Sequence, residues 1–153
     1  MHLSISIFLE NPGKRFPVEI SLDAKKATNM SDNVTFVEDV VVSGEAYVQL
    51  STLYLDTEIR TIVEQPCRRC LEPVREEVDL NERFKIDISD AESSVDLVTH
   101  ILGFVMAAID PHPLCRPDCR GLCPVCGINL NEHPDHVCHE TSDNRVRLRD
   151  FLK

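Results

Sequence analysis

Apolar and polar positions alternate with a period of two along much of the chain's first half. Leu3, Ile5, Ile7 and Leu9 are interleaved with Ser4 and Ser6, and Phe16, Val18, Ile20 and Leu22 with Pro17, Glu19 and Ser21. Leu55, Thr57, Ile59, Thr61 and Val63 then alternate with Asp56, Glu58, Arg60 and other mostly polar positions. The longest run, 74–88, keeps Arg75, Glu77, Asp79, Asn81, Arg83, Lys85 and Asp87 at its odd positions, while most even positions are apolar. This alternation predicts strands of an antiparallel sheet with one face in water. Stretches 34–42 and 45–53 predict two further strands with less regular patterning, and polar, patternless 25–33 predicts a loop.

The period then changes. Ser93-Ser94-Val95-Asp96 fits a capping box, and Leu97, Ile101, Phe104, Val105 and Ala108 follow at helical spacing. Val98, Leu102 and Met106 leave this helix little polar face, so it is expected to be buried on the sheet or in a partner. Pro111-His112-Pro113 stops it. A shorter helix is expected at the end of the chain, with Asp143 as its cap and Val146, Leu148, Phe151 and Leu152 as its apolar positions. The predicted fold class is α+β: a mainly antiparallel β-sheet or partial barrel with one buried helix and a cysteine-rich zinc-binding tail. Composition shifts near Pro111–Pro113, which divides residues 1–110 from a tail of residues 111–153, expected to dock on the first module through Cys67 and Cys70.

Charge sharpens the division. Residues 1–94 hold 18 acidic against 10 basic side chains, whereas residues 111–153 balance at 6 and 6. The net charge of −10 argues against a broad face that grips phosphate backbones. With 42% hydrophobic and 27% charged residues, wholesale disorder is excluded. The most apolar stretch, 95–109, would span only about 22 Å as a helix, too short for a membrane. MHLSISIFLE lacks the basic start and small-residue cleavage site of an export signal, so a reducing cytoplasm is the expected location. Seven cysteines is an odd number that disulfides alone cannot use, and in that compartment metal binding is the expected role.

The cysteines form two groups. Cys67-Arg68-Arg69-Cys70, between Pro66 and Pro73, lies between two predicted strands, where a tight turn brings two thiolates to one side. The second group is Cys115, Cys119, Cys123, Cys126 and Cys138, with His136 just before the last. In Cys123-Pro124-Val125-Cys126-Gly127 the glycine allows a left-handed turn that aims backbone amides at the sulfurs. A closed structural zinc takes four ligands, so Cys67, Cys70, Cys115 and Cys119 make one set and Cys123, Cys126, His136 and Cys138 another. The alternative is a single zinc held by the tail, with Cys67 and Cys70 as small core residues. His133 or His139 could stand in for His136.

Other chemistry finds less support. Arg68 and Arg69 beside two thiols resemble a redox pair, but such pairs open a helix in a βαβ unit. The same arginines could touch RNA, yet Glu72, Glu76 and Glu77 beside them point to a solvated turn. The five glycines form no phosphate-cradling pattern, and no nucleophile elbow is present. His2, His100 and His112 read as surface or packing residues. The expectation is a protein that is not an enzyme and takes no small-molecule substrate.

Cys67-Arg-Arg-Cys70-Leu71-Glu72-Pro73, Val95-Asp96-Leu97 opening the apolar helix, and Cys119-Arg-Gly121-Leu122-Cys123-Pro-Val-Cys126-Gly127-Ile-Asn129-Leu130-Asn131 together resemble the YceD family. These are bacterial large-ribosomal-RNA-accumulation proteins with chloroplast relatives, and residues 147–153 are similar to the family's ending. Cysteine-rich members often close the motif with C-x-C, where this chain has His136-Val137-Cys138. The resemblance implies a ribosome-biogenesis accessory factor that supports accumulation or processing of large-subunit ribosomal RNA, with ribosomal RNA-processing or ribosome-assembly factors as partners. It carries no catalytic residues over. The charge pattern points separately to a basic protein partner on the acidic first module, and the alternative function is a zinc-stabilised protein-protein adaptor that binds such a partner without contacting RNA. If RNA is contacted directly, Arg116, Arg120, Arg145, Arg147 and Arg149 are the concentrated basic groups; alternatively they pair locally with Asp118, Asp143 and Asp150.

Overall fold

Two strands of equal length, β5 (Thr52–Pro66) and β6 (Pro73–Asp87), organise the protein, here a computed structural model that describes residues 1–31, 33–88 and 93–138. They pair antiparallel without a break from Thr52 opposite Asp87 to Pro66 opposite Pro73. Because the register is unbroken, Leu53, Leu55, Ile59 and Val63 all reach one face and are fully buried, as the alternation predicts. Strand β4 (Val40–Gln49) pairs with β5 up to Arg60, short β3 (Thr35–Phe36) pairs with β5 at Val63 and Glu64, and β2 (Phe16–Leu22) flanks β4. The predicted 34–42 and 45–53 strands are thus redistributed. The chain turns at Leu50-Ser51, both in the left-handed region (φ 50° and 60°), which joins β4 to β5 in a two-residue hairpin. Neither residue is the usual asparagine or glycine of such a turn, so the sequence gives no sign of it.

The remaining strands, β1 (His2–Ser4) and β7 (Ser94–Asp96), make a separate two-stranded sheet. The expected strand over 3–9 is corrected here. After Ser4 the chain enters helix α1 (Ser6–Glu10), because Ile5 and Phe8 are the buried pair, one helical step apart, while Ile7 and Leu9 face water. The expected loop at 25–33 contains helix α2 (Ala24–Asn29), opened by Asp23, whose carboxylate accepts the Lys26 amide at 3.1 Å, and seated by buried Ala27.

Helix α3 (Val98–Ala108) begins later than its capping-box reading. Residues 94–96 are taken by β7, and Ser93 gives its carbonyl to the Ile5 amide, so no serine hydroxyl caps the helix. Asp96 does the capping instead, accepting the Val98 amide at 3.1 Å. Val98, Ile101, Leu102 and Val105 are buried in the core, but Thr99, His100, Gly103, Met106 and Ala107 are exposed, so this helix is covered on one side only. Its neighbour is β6, where Phe84 packs on Phe104 with ring centres 5.1 Å apart. Each fully buried Leu, Ile or Val contributes roughly 1.5–3 kcal/mol, and the core carries them from all the long strands and α3. The two buried threonines in it are satisfied: Thr57 donates to the Glu82 carbonyl and Thr61 to the Glu38 carbonyl, both at 3.1 Å.

The fold is therefore α+β with mostly antiparallel strands and few helices, and among the described residues the main sheet is open rather than closed into a barrel. No helix among the described residues is long and apolar enough to cross a membrane. The expected helix at 143–152 lies outside the described residues.

Candidate metal centres

The connection between β5 and β6 is a tight reversal rather than a loop. Cys67 donates its amide to the Glu72 carbonyl at 2.8 Å, and the Leu71 amide returns to the Cys67 carbonyl at 3.0 Å. Residues 123–128 repeat the same pattern: the Cys123 amide donates to Ile128 at 2.8 Å and the Gly127 amide to Cys123 at 2.9 Å. Both turns need a left-handed residue after the second cysteine. Gly127 adopts φ 75° at no steric cost, whereas Leu71 adopts φ 65° with its side chain largely in water. Each turn presents two sulfurs on one side, as expected of half of a tetrahedral thiolate site.

The other halves come from the tail. Cys115 and Cys119 meet the first turn, with Cys70 Sγ 3.5 Å from Cys115 Sγ and Cys67 Sγ 3.8 Å from Cys119 Sγ. His136 and Cys138 meet the second, with Cys126 Sγ 3.2 Å from His136 Nε2. Within each group of four the ligand atoms all lie within 4.8 Å of one another. A zinc with bonds of about 2.3 Å to sulfur holds tetrahedral sulfurs about 3.8 Å apart, so both groups have the right size. All seven cysteines are free thiols. The eight side chains named from spacing are brought together in the two sets proposed for them. His133 is exposed outside both groups, giving its carbonyl to the His136 amide, and His139 lies outside the described residues.

The surroundings divide the thiols, favouring the thiolate at some and opposing it at others. Burial pushes the Cys67 thiol up, but the amides of Arg69, Cys115 and Cys70 outweigh it and bring it down to about 6. The amides of Cys126 and Val125 bring Cys123 down to about 6. Burial, followed by the neighbouring sulfurs, pushes Cys115 up to about 12 and Cys138 up to about 11. In each group one thiol ionises readily, while burial and then the neighbouring sulfurs hold another back. A cation at the centre relieves that conflict, which is how a metal ion exchanges for protons at such a site.

Residues without ligand atoms also shape the first site. Asn131 Nδ2 donates to Cys119 Sγ at 3.3 Å, and its Oδ1 accepts the Arg120 amide at 2.8 Å. Arg69 reaches from the hairpin turn into the tail, donating from Nη1 to the Cys119 carbonyl at 2.8 Å and accepting the Leu122 amide at 3.0 Å. Gly121 sits under Arg69 so closely that a Cβ there would lie 2.9 Å from the Arg69 carbonyl oxygen. Arg68 accepts no such role from its side chain, but its amide donates to Pro113 at 2.9 Å. Arg69 is exposed, in keeping with a solvated turn, and it also serves as a tie between hairpin and tail. No spacing signal marks Asn131 or Arg69, since their partners are backbone groups and a sulfur distant in sequence. Of the tail's basic groups, Arg116 lies 3.8 Å from Asp118 in an exposed pair and Arg120 donates to the Pro134 carbonyl at 3.1 Å, while Arg145, Arg147 and Arg149 lie outside the described residues.

Comparison with known proteins agrees with this geometry in extent. An uncharacterised protein of Mycobacterium tuberculosis (strain ATCC 25618 / H37Rv) is 37% identical over 94 residues, covering 52% of this chain and 45% of that protein. The large ribosomal RNA subunit accumulation protein YCED homolog 1, chloroplastic, of Zea mays is 28% identical over 141 residues, 65% of this chain and 48% of the maize protein. An uncharacterised Mycobacterium leprae protein is 34% identical over 101 residues, with 56% and 46% covered. The chain spans about half the length of the curated relatives it matches. No solved structure matches it. The family model for the large ribosomal RNA subunit accumulation protein YceD matches residues 55–152, a span that begins in β5 and takes in both cysteine turns and all eight side chains of the two groups. The chain belongs to the YceD family.

Proposed function

We propose that this protein is a non-enzymatic accessory factor in ribosome biogenesis that supports accumulation or processing of large-subunit ribosomal RNA, and that two structural zinc ions hold it together. The family's role in large-subunit ribosomal RNA supports the first part. The observation that carries the second is the pairing of two like-built cysteine turns with exactly enough ligands for two closed tetrahedra, Cys67, Cys70, Cys115 and Cys119, then Cys123, Cys126, His136 and Cys138. Closed sites with four protein ligands leave no position for a substrate, which is why the reading is structural and not catalytic. When bound, zinc would supply only cross-linking and charge neutralisation. The chain's own residues arrange the thiolates, through the backbone amides of both turns and through Asn131.

In this reading residues 111–153 form a tail clamped to the first module by Cys67 and Cys70, and the first zinc is the clamp. The protein works in a reducing compartment, the cytoplasm, where thiols persist. Its partners are ribosome-assembly or RNA-processing factors, and the surplus of acidic over basic groups in residues 1–94 favours contact with a basic protein rather than with RNA itself. The test is complementation: in cells depleted of the native protein, the wild-type chain should restore large-subunit ribosomal RNA, and Cys70→Ser should not. Restoration by Cys70→Ser at normal protein levels would rule out a need for the clamp.

A further inference from the structure

Strand β6 borders the main sheet. Among the described residues it pairs with β5 alone, so the outer edge of residues 73–87 carries backbone donors and acceptors with no strand beside them. Soluble proteins usually blunt such an edge with prolines, bulges or lysines. Here Pro73 stands at the very start, Lys85 is the single lysine and the register has no bulge. A regular edge of this length suits recognition by strand addition.

The two faces beside that edge differ in chemistry. On the core side Leu80, Phe84 and Ile86 are only half-buried, and α3 offers Phe104 together with exposed Thr99, His100 and Gly103. Phe84 lies between Phe104 and His100, with ring centres 5.1 and 5.9 Å away. On the solvent side the cations of β6 stand towards its two ends, Arg75 paired with Glu64 of β5 at 2.9 Å, Arg83 paired with Asp56, and Lys85 exposed beyond it. Glu77 and Asp79 remain on the same face of β6, and Arg60 of β5 lies 3.3 Å from Asp79. A strand laid along the middle of β6 would thus meet Leu80 and Phe84, with Glu82 between them, on one face and Glu77 and Asp79 on the other.

We propose that the free edge of β6 is the docking site for an extended segment of a basic protein partner in which apolar and Lys or Arg residues alternate. This rests on the basic-partner reading given above and adds the place and mode of binding. Backbone hydrogen bonds supply affinity, the apolar residues cover Leu80, Phe84 and Phe104, and the basic ones meet Glu77 and Asp79.

The probe is a fluorescent peptide of about ten residues in which arginine and valine alternate, titrated into the zinc-loaded full chain and followed by anisotropy and amide hydrogen exchange. The expected result is saturable binding with slowed exchange in residues 73–87. A peptide of the same composition with its arginines and valines in separate blocks should bind about tenfold more weakly, and E77K/D79K, at unchanged melting temperature, should weaken the alternating peptide by a similar factor. Binding that leaves exchange in 73–87 unchanged would overturn strand addition while leaving a basic partner in place. No binding of either peptide would overturn both. Protection of 73–87 that rises with protein concentration before peptide is added would put a second copy on this edge and also overturn the proposal.

Discussion

Leu71 and Gly121 mark opposite ends of what one residue can cost at the join between hairpin and tail. Leu71 holds a left-handed conformation that its Cβ opposes by roughly 1–2 kcal/mol, with its side chain 64% exposed. Leu71→Gly should therefore leave the melting temperature unchanged or raise it, glycine's greater unfolded-state freedom offsetting part of the relief. Gly121, at φ 77° and 2.9 Å from the Arg69 carbonyl once a Cβ is added, should behave oppositely: Gly121→Ala should lower the melting temperature and loosen the tail. Thermal unfolding of the two zinc-loaded variants side by side checks both. Asn131→Ala removes a donor to Cys119 Sγ and should weaken metal at the first site about 10–100-fold, measured by chelator competition, with the second site unaffected. The two groups of four side chains were legible in the sequence because four-ligand arithmetic leaves no cysteine over. Asn131, Arg69 and Gly121 stand in the motifs that resemble the family, but their contacts were not legible, because what they touch is distant in sequence.

At the scale of elements, alternation was reliable where pairing is long. Over β5 and β6 the wet and dry faces follow the odd and even positions from end to end, so any slip of one residue would put Arg75 to Asp87 in the core. It misled where elements are short. Leu3, Ile5, Ile7 and Leu9 alternate as a strand would, but the buried pair Ile5 and Phe8, three apart, shares a face only on a helix, and the tertiary core chose the helix. Helix α3 shows the same competition at its start, where pairing of β7 with β1 displaced the serine cap and left the work to Asp96. The Val98 amide holds the Asp96 carboxyl below its ordinary value of 3.8. A depressed folded pKa gives stability that is present above that ordinary value and lost as pH falls through the folded one. Asp96→Ala should thus cost about 0.5–1 kcal/mol near neutral pH, and the difference from wild type should vanish in strong acid, as denaturant melts at the two pH values would show.

Considered whole, the molecule has two packed regions of different kinds. The main core contains no cysteine, whereas the smaller cluster is built on Cys67, Cys70 and Cys119 with Val74, Leu114 and Leu122 around it. A cluster so small has too little apolar area to hold the tail without a cross-link. Removing metal with a strong chelator should therefore release residues 113–138 while the sheet persists, seen as fast amide exchange in the tail beside continued protection in β4 and β5. This separation was only partly visible beforehand: the change in charge and cysteine content near residue 111 is in the sequence, but the hydrogen bonds that carry the tail onto the hairpin are not.

The central claim is that the chain holds two independent closed zinc sites, one joining hairpin to tail and one within the tail. Native mass spectrometry of the full chain, its Cys70→Ser variant and its Cys126→Ser variant, each loaded with zinc, measures this directly. The account predicts two zinc ions on the wild type and one on each variant, the Cys126→Ser protein keeping the clamp and the Cys70→Ser protein keeping the tail site. A wild type that binds a single zinc, with Cys70→Ser losing none, would contradict it.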